Sequence, residues 1–179
     1  MAGRADMDRP DDSAPGPGGK VVRILFVCLG NICRSPTADG VFRKLVAEAG
    51  LSHRFESDSA GVSDYHEGEP PDERAAAAAM RRGIDLSAMR ARGVVPADLR
   101  AFDFLLAMDE PVRRRLAGMH RFGGAGNGAK IGLFLDHAPH LAVREVPDPY
   151  LGGEEHFEEV LDLIEEGAKG LISRLQREP

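Results

Sequence analysis

The run Val22-Arg23-Ile24-Leu25-Phe26-Val27 is apolar and β-branched with little alternation, and it stops abruptly at Cys28. A strand of that kind hides both faces, as a parallel sheet covered by helices requires. Beyond it, Ser35-Pro36 offers an N-cap followed by a residue favoured at the first helical position. Ala38, Val41, Phe42, Leu45, Val46 and Ala49 then recur at helical spacing until Gly50. The first unit is strand, loop, helix, and the loop from Cys28 to Ser35 leaves the carboxyl end of the strand.

The same alternation continues. Further strands are expected at Phe55 to Ala60, Phe102 to Ala107 and Lys130 to Leu135. Helices are expected at Glu73 to Arg82, closed by Gly83, at Glu110 to Leu116, and along the stripe Phe157, Val160, Leu161, Ile164, Ala168, Leu171, Ile172 and Leu175. Strands alternating with helices predict an α/β fold, a three-layer domain with a parallel sheet and right-handed crossovers, whose ligands bind at the carboxyl ends of the strands. Residues 1–20 are rich in Asp, Pro, Gly and Ser and are expected to form a disordered tail, leaving 21–179 as one domain. The glycine-rich stretch Phe122 to Ala129 fits neither a dinucleotide nor a nucleotide-binding fingerprint and reads as a mobile loop.

Charge narrows the partners. With 29 acidic against 23 basic residues, a net charge of −6 and no basic block, broad binding to nucleic acid or to an anionic membrane is disfavoured, so any anion site is local. No apolar run approaches a membrane span and the N-terminus lacks the pattern of a signal peptide, so the expected location is cytoplasmic, with no stable membrane association. Cys28 and Cys33 are the two cysteines and sit five apart, too few for a disulfide framework or a structural zinc site. Asp136, His137 and His140 read as a solvated turn, and no metal is expected.

The segment Cys28-Leu29-Gly30-Asn31-Ile32-Cys33-Arg34-Ser35 places a nucleophile and a guanidinium with five residues between them, between a strand and a helix N-terminus. Successive backbone N–H groups there can curl around a tetrahedral anion. The helix dipole adds positive charge, and Gly30 and Asn31 tolerate left-handed backbone angles. Arg34 can grip two phosphate oxygens with its planar fork. The same field favours the thiolate of Cys28, and the Ser35 hydroxyl is suited to stabilise that sulfur as attacker and leaving group.

Transfer of a phosphoryl group from tyrosine needs a proton for the departing phenolate, and the loop holds no acid. Val146-Pro147-Asp148-Pro149-Tyr150 is the candidate source, with one carboxyl group on a backbone stiffened by two prolines and a tyrosine able to flank an aromatic substrate. Taken alone, an Asp-Pro pair is more often just a turn than a catalytic site. Asp109, at a strand end before Glu110-Pro111, reads as a helix cap.

The loop, Asp58-Ser59-Ala60-Gly61, Ala107-Met108-Asp109-Glu110 and Asp148-Pro149-Tyr150, in this order, closely resemble the low-molecular-weight protein tyrosine phosphatases, from about Val21 to the C-terminal helix. The resemblance implies a four-stranded parallel sheet, no cofactor, a phosphotyrosine-containing protein substrate and a phosphocysteine intermediate. It carries no oligomeric state. By position it implies Cys28 as nucleophile, Arg34 as phosphate clamp and Asp148 as general acid. It likewise implies that the loop residues Leu29 to Ser35 bind phosphate and that Asn31 is held left-handed with Ser35 and Ser59 as supports. Leu29, Tyr65 and Tyr150 are similar to the walls of the family's substrate crevice, and Cys33 to its second, redox-protective cysteine.

Two positions depart from the family. Leu151 stands where many members have a second tyrosine, and Arg82 where many have a histidine that the resemblance associates with support of the loop asparagine. Three other readings stand beside the phosphatase. An arsenate reductase of the same fold would use cysteines beyond Cys33, which this chain lacks. A protein arginine phosphatase typically carries threonine where Ile32 stands, and a phosphopeptide-binding module would bind without turnover.

Overall fold

The computed structural model describes residues 20–122 and 128–177. Strands and helices alternate as β1 (Val22–Cys28), α1 (Arg34–Glu48), β2 (Phe55–Gly61), α2 (Glu73–Arg81), α3 (Asp98–Ala101), β3 (Phe104–Ala107), α4 (Glu110–Phe122), β4 (Lys130–Leu133), a 3-10 turn (Phe134–His137) and α5 (Glu154–Arg177). The four strands pair in parallel in the order β2-β1-β3-β4, the three-layer α/β architecture expected.

The lack of alternation in β1 has a direct cause. Ile24, Leu25, Phe26 and Val27 are all fully buried because each face of the strand meets a separate core. Ile24 and Phe26 point into a layer built with Phe42 of α1, Ala79 of α2 and Ile164 and Leu171 of α5. Leu25 and Val27 point the other way, towards Leu99 of α3, Leu105 of β3, and Val112 and Leu116 of α4. The Phe26 ring meets Phe134 edge-on at 5.4 Å between centroids and Phe42 at 5.6 Å, geometries that aromatic quadrupoles favour.

The order 2-1-3-4 fixes where a ligand belongs. The connection leaving β1 runs to α1 on one face, and that leaving β3 runs to α4 on the other, so a crevice opens between the carboxyl ends of these neighbouring strands. Cys28 ends β1 and Asp109 follows β3. At the end of β2, Gly61 lets the backbone approach the loop, since a Cβ there would lie 2.8 Å from the Leu29 carbonyl oxygen and 3.1 Å from the Asn31 nitrogen.

Several element boundaries differ from the sequence reading, each for a local reason. Helix α1 begins at Arg34 with Cys33 in the cap position and no side-chain cap, so Ser35 is not the N-cap; its hydroxyl is engaged inside the loop instead. Strand β3 starts at Phe104 rather than Phe102. The Asp98 carboxylate accepts from the Val95 N–H at 2.9 Å and the Arg92 guanidinium at 3.0 Å, folding residues 98–101 into a helical turn. Helix α4 runs on to Phe122 because Met119 continues the stripe of Val112 and Leu116. Strand β4 ends at Leu133 because β3, four residues long, offers it no further partner. The expected tail, apart from Lys20, and residues 123–127 of the expected glycine-rich loop lie outside the described residues.

Candidate active site

The loop after β1 folds around the Cys28 sulfur. That atom accepts from the Asn31 N–H at 3.2 Å and lies 3.0 Å from the Ser35 hydroxyl oxygen, while the Cys28 residue is 3% exposed. Helix α1 starts at Arg34, so the unpaired N–H groups of its first turn adjoin the loop and add the partial positive charge of a helix N-terminus to it.

Asn31 holds the loop in shape. It has φ 58°, the left-handed region, and it is the one non-glycine residue there among those described. Its amide nitrogen donates to the hydroxyls of Ser35 and Ser59, each at 2.9 Å, and its Oδ1 accepts from the Arg92 backbone N–H at 2.9 Å. Both amide hydrogens and the Oδ1 oxygen are bonded inside the protein, which suits a residue 2% exposed. Gly30, which could also tolerate a left-handed angle, does not adopt one. Its missing side chain makes room instead for His66, whose Cδ2 would lie 3.0 Å from a Cβ.

Arg34 is 3% exposed and reaches across the sheet's switch point. Its Nη1 donates to Asp109 Oδ2 at 2.6 Å and to the Val146 carbonyl at 3.1 Å, and its Nη2 lies 3.4 Å from Asp148 Oδ2. Burial works against its charge, but the Cys28 sulfur, Asp109 and Asp148 outweigh that and push its pKa upward. Asp109 does cap α4, accepting from the Val112 N–H at 2.9 Å with Oδ1. Its second oxygen orients Arg34, a contact that sequence reasoning missed. The signal was its position at the end of the strand next to β1.

Cys33 differs from Cys28 in setting. Burial first, then the negative charge of Asp72, Cys28 and Asp148, push its thiol up to about 12, so it stays protonated at neutral pH. Both cysteines are free.

A crevice of about 400 Å³ opens over the loop. Cys28, Leu29, Gly30, Ile32, Cys33 and Arg34 form its floor and sides, and Tyr65, Asp148 and Tyr150 also line it. Ser63 and His66, which the sequence did not single out, complete the lining. The Tyr65 ring stands 84% exposed and meets His66 edge-on at 5.0 Å, so an apolar wall projects above a polar base. A broader groove of about 1320 Å³ continues past Leu29, Arg34 and Asp148 but contains neither cysteine.

Both family departures lie outside the loop and its crevice. Leu151 is almost fully exposed and stands clear of the crevice lining. Arg82 turns away from the loop and pairs with Glu158, Asp162 and Glu165 of α5, so position 82 takes no part in holding Asn31; the Arg92 amide supplies that bond. Asp136 pairs with Arg144 at 2.6 Å and His140 with Glu166 at 3.0 Å, contacts that belong to the surface.

Known proteins match this chain over most of its length. The family model for the low molecular weight phosphotyrosine protein phosphatase matches residues 23–179. The low molecular weight protein-tyrosine-phosphatase YfkJ of Bacillus subtilis is 40% identical over 158 residues, covering 88% of this chain and 98% of that protein. Its crystal structure superposes with a TM-score of 0.82 over 91% of this chain and 99% of that one. The low molecular weight phosphotyrosine protein phosphatase of Sus scrofa is 41% identical over 139 residues, 76% of this chain and 85% of that protein. A crystal structure of protein tyrosine phosphatase from Entamoeba histolytica, with Hepes in the active site, is 36% identical with a TM-score of 0.79 over 87% of this chain and 97% of that one. A strand-ended cysteine, a buried arginine and an aspartate on a distant loop meeting over one cradle thus occur in a chain matched over most of its length, and this chain belongs to the low molecular weight phosphotyrosine protein phosphatases.

Proposed function

We propose that this phosphatase works through Cys28 as nucleophile, Arg34 as phosphate clamp and Asp148 as general acid and base. The observation that supports it most is the meeting of the Cys28 sulfur, the Arg34 guanidinium and the Asp148 carboxyl on one crevice, although Asp148 lies 114 residues from Arg34 in the chain.

The phosphate sits in the loop, against the backbone N–H groups from Leu29 to Ser35. Arg34 Nη1 is fixed by Asp109 and Val146, which leaves the Nε and Nη2 edge of the fork for two phosphate oxygens. The Cys28 thiolate attacks phosphorus in line. The sulfur–phosphorus bond forms as the bond to the tyrosine oxygen breaks, and the proton of the Asp148 carboxyl passes to that oxygen. Asp148, now a carboxylate, takes a proton from water, whose oxygen attacks phosphorus and releases inorganic phosphate and the Cys28 thiolate. The Ser35 hydroxyl, 3.0 Å from the sulfur, supports the thiolate in both steps.

The substrate reading rests on the family and on the crevice. Ile32, Tyr65 and Tyr150 give an apolar slot suited to a phenyl ring above an anion cradle. Cys33, in the same loop, is assigned as the thiol that condenses with Cys28 after a peroxide has oxidised it to sulfenic acid, forming a disulfide and releasing water. The cytoplasm is the compartment proposed, because both cysteines are free and Cys28 must stay reduced to act. No described helix is long and apolar enough to cross a membrane.

The Asp148→Asn variant tests the assignment. Attack needs the thiolate and departure needs the protonated acid, so kcat/KM of the wild type falls on both sides of an optimum. The variant is expected to lose about 10²–10⁴-fold in kcat/KM on phosphotyrosine peptide and to lose the alkaline fall of the profile. An unchanged rate and profile would remove Asp148 from its role.

A further inference from the structure

The Pro147-to-Gly153 segment that carries Asp148 belongs to no helix or strand, and Asp148 itself is half exposed. Its internal ties are short-range: the Tyr150 N–H donates to Asp148 Oδ1 at 3.1 Å and the Gly152 N–H to the Pro149 carbonyl at 2.8 Å. Against the rest of the molecule the segment is held at Asp148 by Arg34 Nη2, 3.4 Å away, at Gly153 by His156 of α5, and along the backbone between them by Arg74, in the first turn of α2. Its Nη2 donates to the Tyr150 carbonyl at 3.0 Å and its Nη1 to the Gly152 carbonyl at 3.2 Å. Its guanidinium also lies over the rings of Phe157, 4.6 Å from the centroid, and Tyr150, 5.6 Å.

The other end of this strut reaches the phosphate loop. Arg74 Nη2 and Nε donate to the two oxygens of Asp72, at 2.9 and 3.1 Å, and the Arg74 N–H donates to the same carboxylate at 2.9 Å. The Asp72 N–H in turn donates to the Ile32 carbonyl at 2.8 Å. One unbroken chain of hydrogen bonds therefore runs from the backbone of the loop that cradles phosphate, through Asp72 and Arg74, to the backbone two and four residues beyond Asp148. A planar fork can bond two carbonyls and a carboxylate at once, which a lysine ammonium on its flexible stem does not reproduce.

We propose that Arg74 is a positioning residue for the phosphatase reaction: it sets the Asp148 loop at its working distance from the Cys28 loop and so governs proton delivery to the leaving oxygen. The inference rests on Asp148 being the general acid. Arg74 is absent from the lining of the crevice, so it acts through the loop rather than on substrate. Displacing a catalytic group by about 1 Å can cost up to about 10²-fold, and the loss falls on the step that needs that group.

The test uses kcat/KM, which reports the attack of Cys28 and departure of the leaving group, for a phenyl phosphate and for an aryl phosphate whose phenol is acidic enough to leave without a proton. In Arg74→Met, the phenyl ester is expected to lose about tenfold or more and the activated ester less than about threefold, with Arg74→Lys between wild type and Arg74→Met. Retained activity on the activated ester also reports that the Cys28 loop is folded. In an Asp148→Asn background, Arg74→Met is expected to add little, because the group it positions is already gone. Equal losses on both esters, or full additivity with Asp148→Asn, would overturn the inference and leave Arg74 a structural residue. If Asp148→Asn itself spares the phenyl ester, the assignment of the acid fails instead, so the two failures are distinguishable.

Discussion

Asn31 shows how much one residue carries at the site. Its left-handed backbone would cost an alanine about 1–3 kcal/mol, and its side chain bonds two serine hydroxyls and one backbone amide. Asn31→Ala is expected to lower unfolding stability by about 2–4 kcal/mol in denaturant titrations and to reduce turnover sharply. Asn31→Gly is expected to recover the backbone part of the stability and none of the turnover. Recovery of turnover by glycine would mean that the backbone angle matters and the side-chain bonds do not. The left-handed Asn31 and its support from Ser59 were legible through the family motif. The Arg92 amide was not, because it lies 61 residues away and a backbone N–H leaves no mark in a sequence. Nor did the sequence show where Arg82 goes: a long side chain at a helix end can turn to either neighbour, and three α5 carboxylates hold it away from the loop.

Among the elements, α2 has the sharpest signals. Asp72 caps its N-terminus, accepting from the Arg74 N–H at 2.9 Å, and Gly83, at φ 73°, closes it. The hydrogen bonds from Arg74, side chain first and then backbone, outweigh the opposing effect of burial and hold the Asp72 carboxyl below the usual carboxylate range. A carboxyl depressed in the folded state stabilises above its unfolded pKa of about 3.9, and that contribution is lost as pH falls through the folded value. Asp72→Ala is therefore expected to cost about 1 kcal/mol or more near neutral pH, with the gap from wild type narrowing as unfolding is measured at progressively lower pH below about 4. A gap independent of pH would separate the capping role from the charge. Periodicity located the four strands and the long helices because each serves a buried stripe. It missed α3, a single turn organised by the Asp98 carboxylate, and overran β4, whose end is set by the length of its neighbour. The end of β4 depends on a strand distant in sequence, and α3 on the bonds of one carboxylate to residues within six positions, which leave no apolar stripe to read.

For the whole molecule, the sheet order explains why the site is where it is. In a chain of net charge −6, loop amides, a helix N-terminus and a buried arginine come together at the carboxyl ends of β1 and β3, where an anion can be held locally. The fold class and the loop were readable because a doubly buried strand, a short turn and a helix start are contiguous in sequence. The bond between Arg34 and Asp109, and the strut from Asp72 through Arg74 to the acid loop, were not, since each joins segments that only the crossovers bring together. The measurement that tests the account most directly is phosphate release from a phosphotyrosine peptide by wild type and Cys28→Ser, under reducing conditions and without metal. The account predicts turnover by the wild type and none by the variant, which still binds the peptide because Arg34 and the loop amides are unchanged, whereas a serine hydroxyl is the weaker nucleophile. Sustained turnover by Cys28→Ser would contradict it.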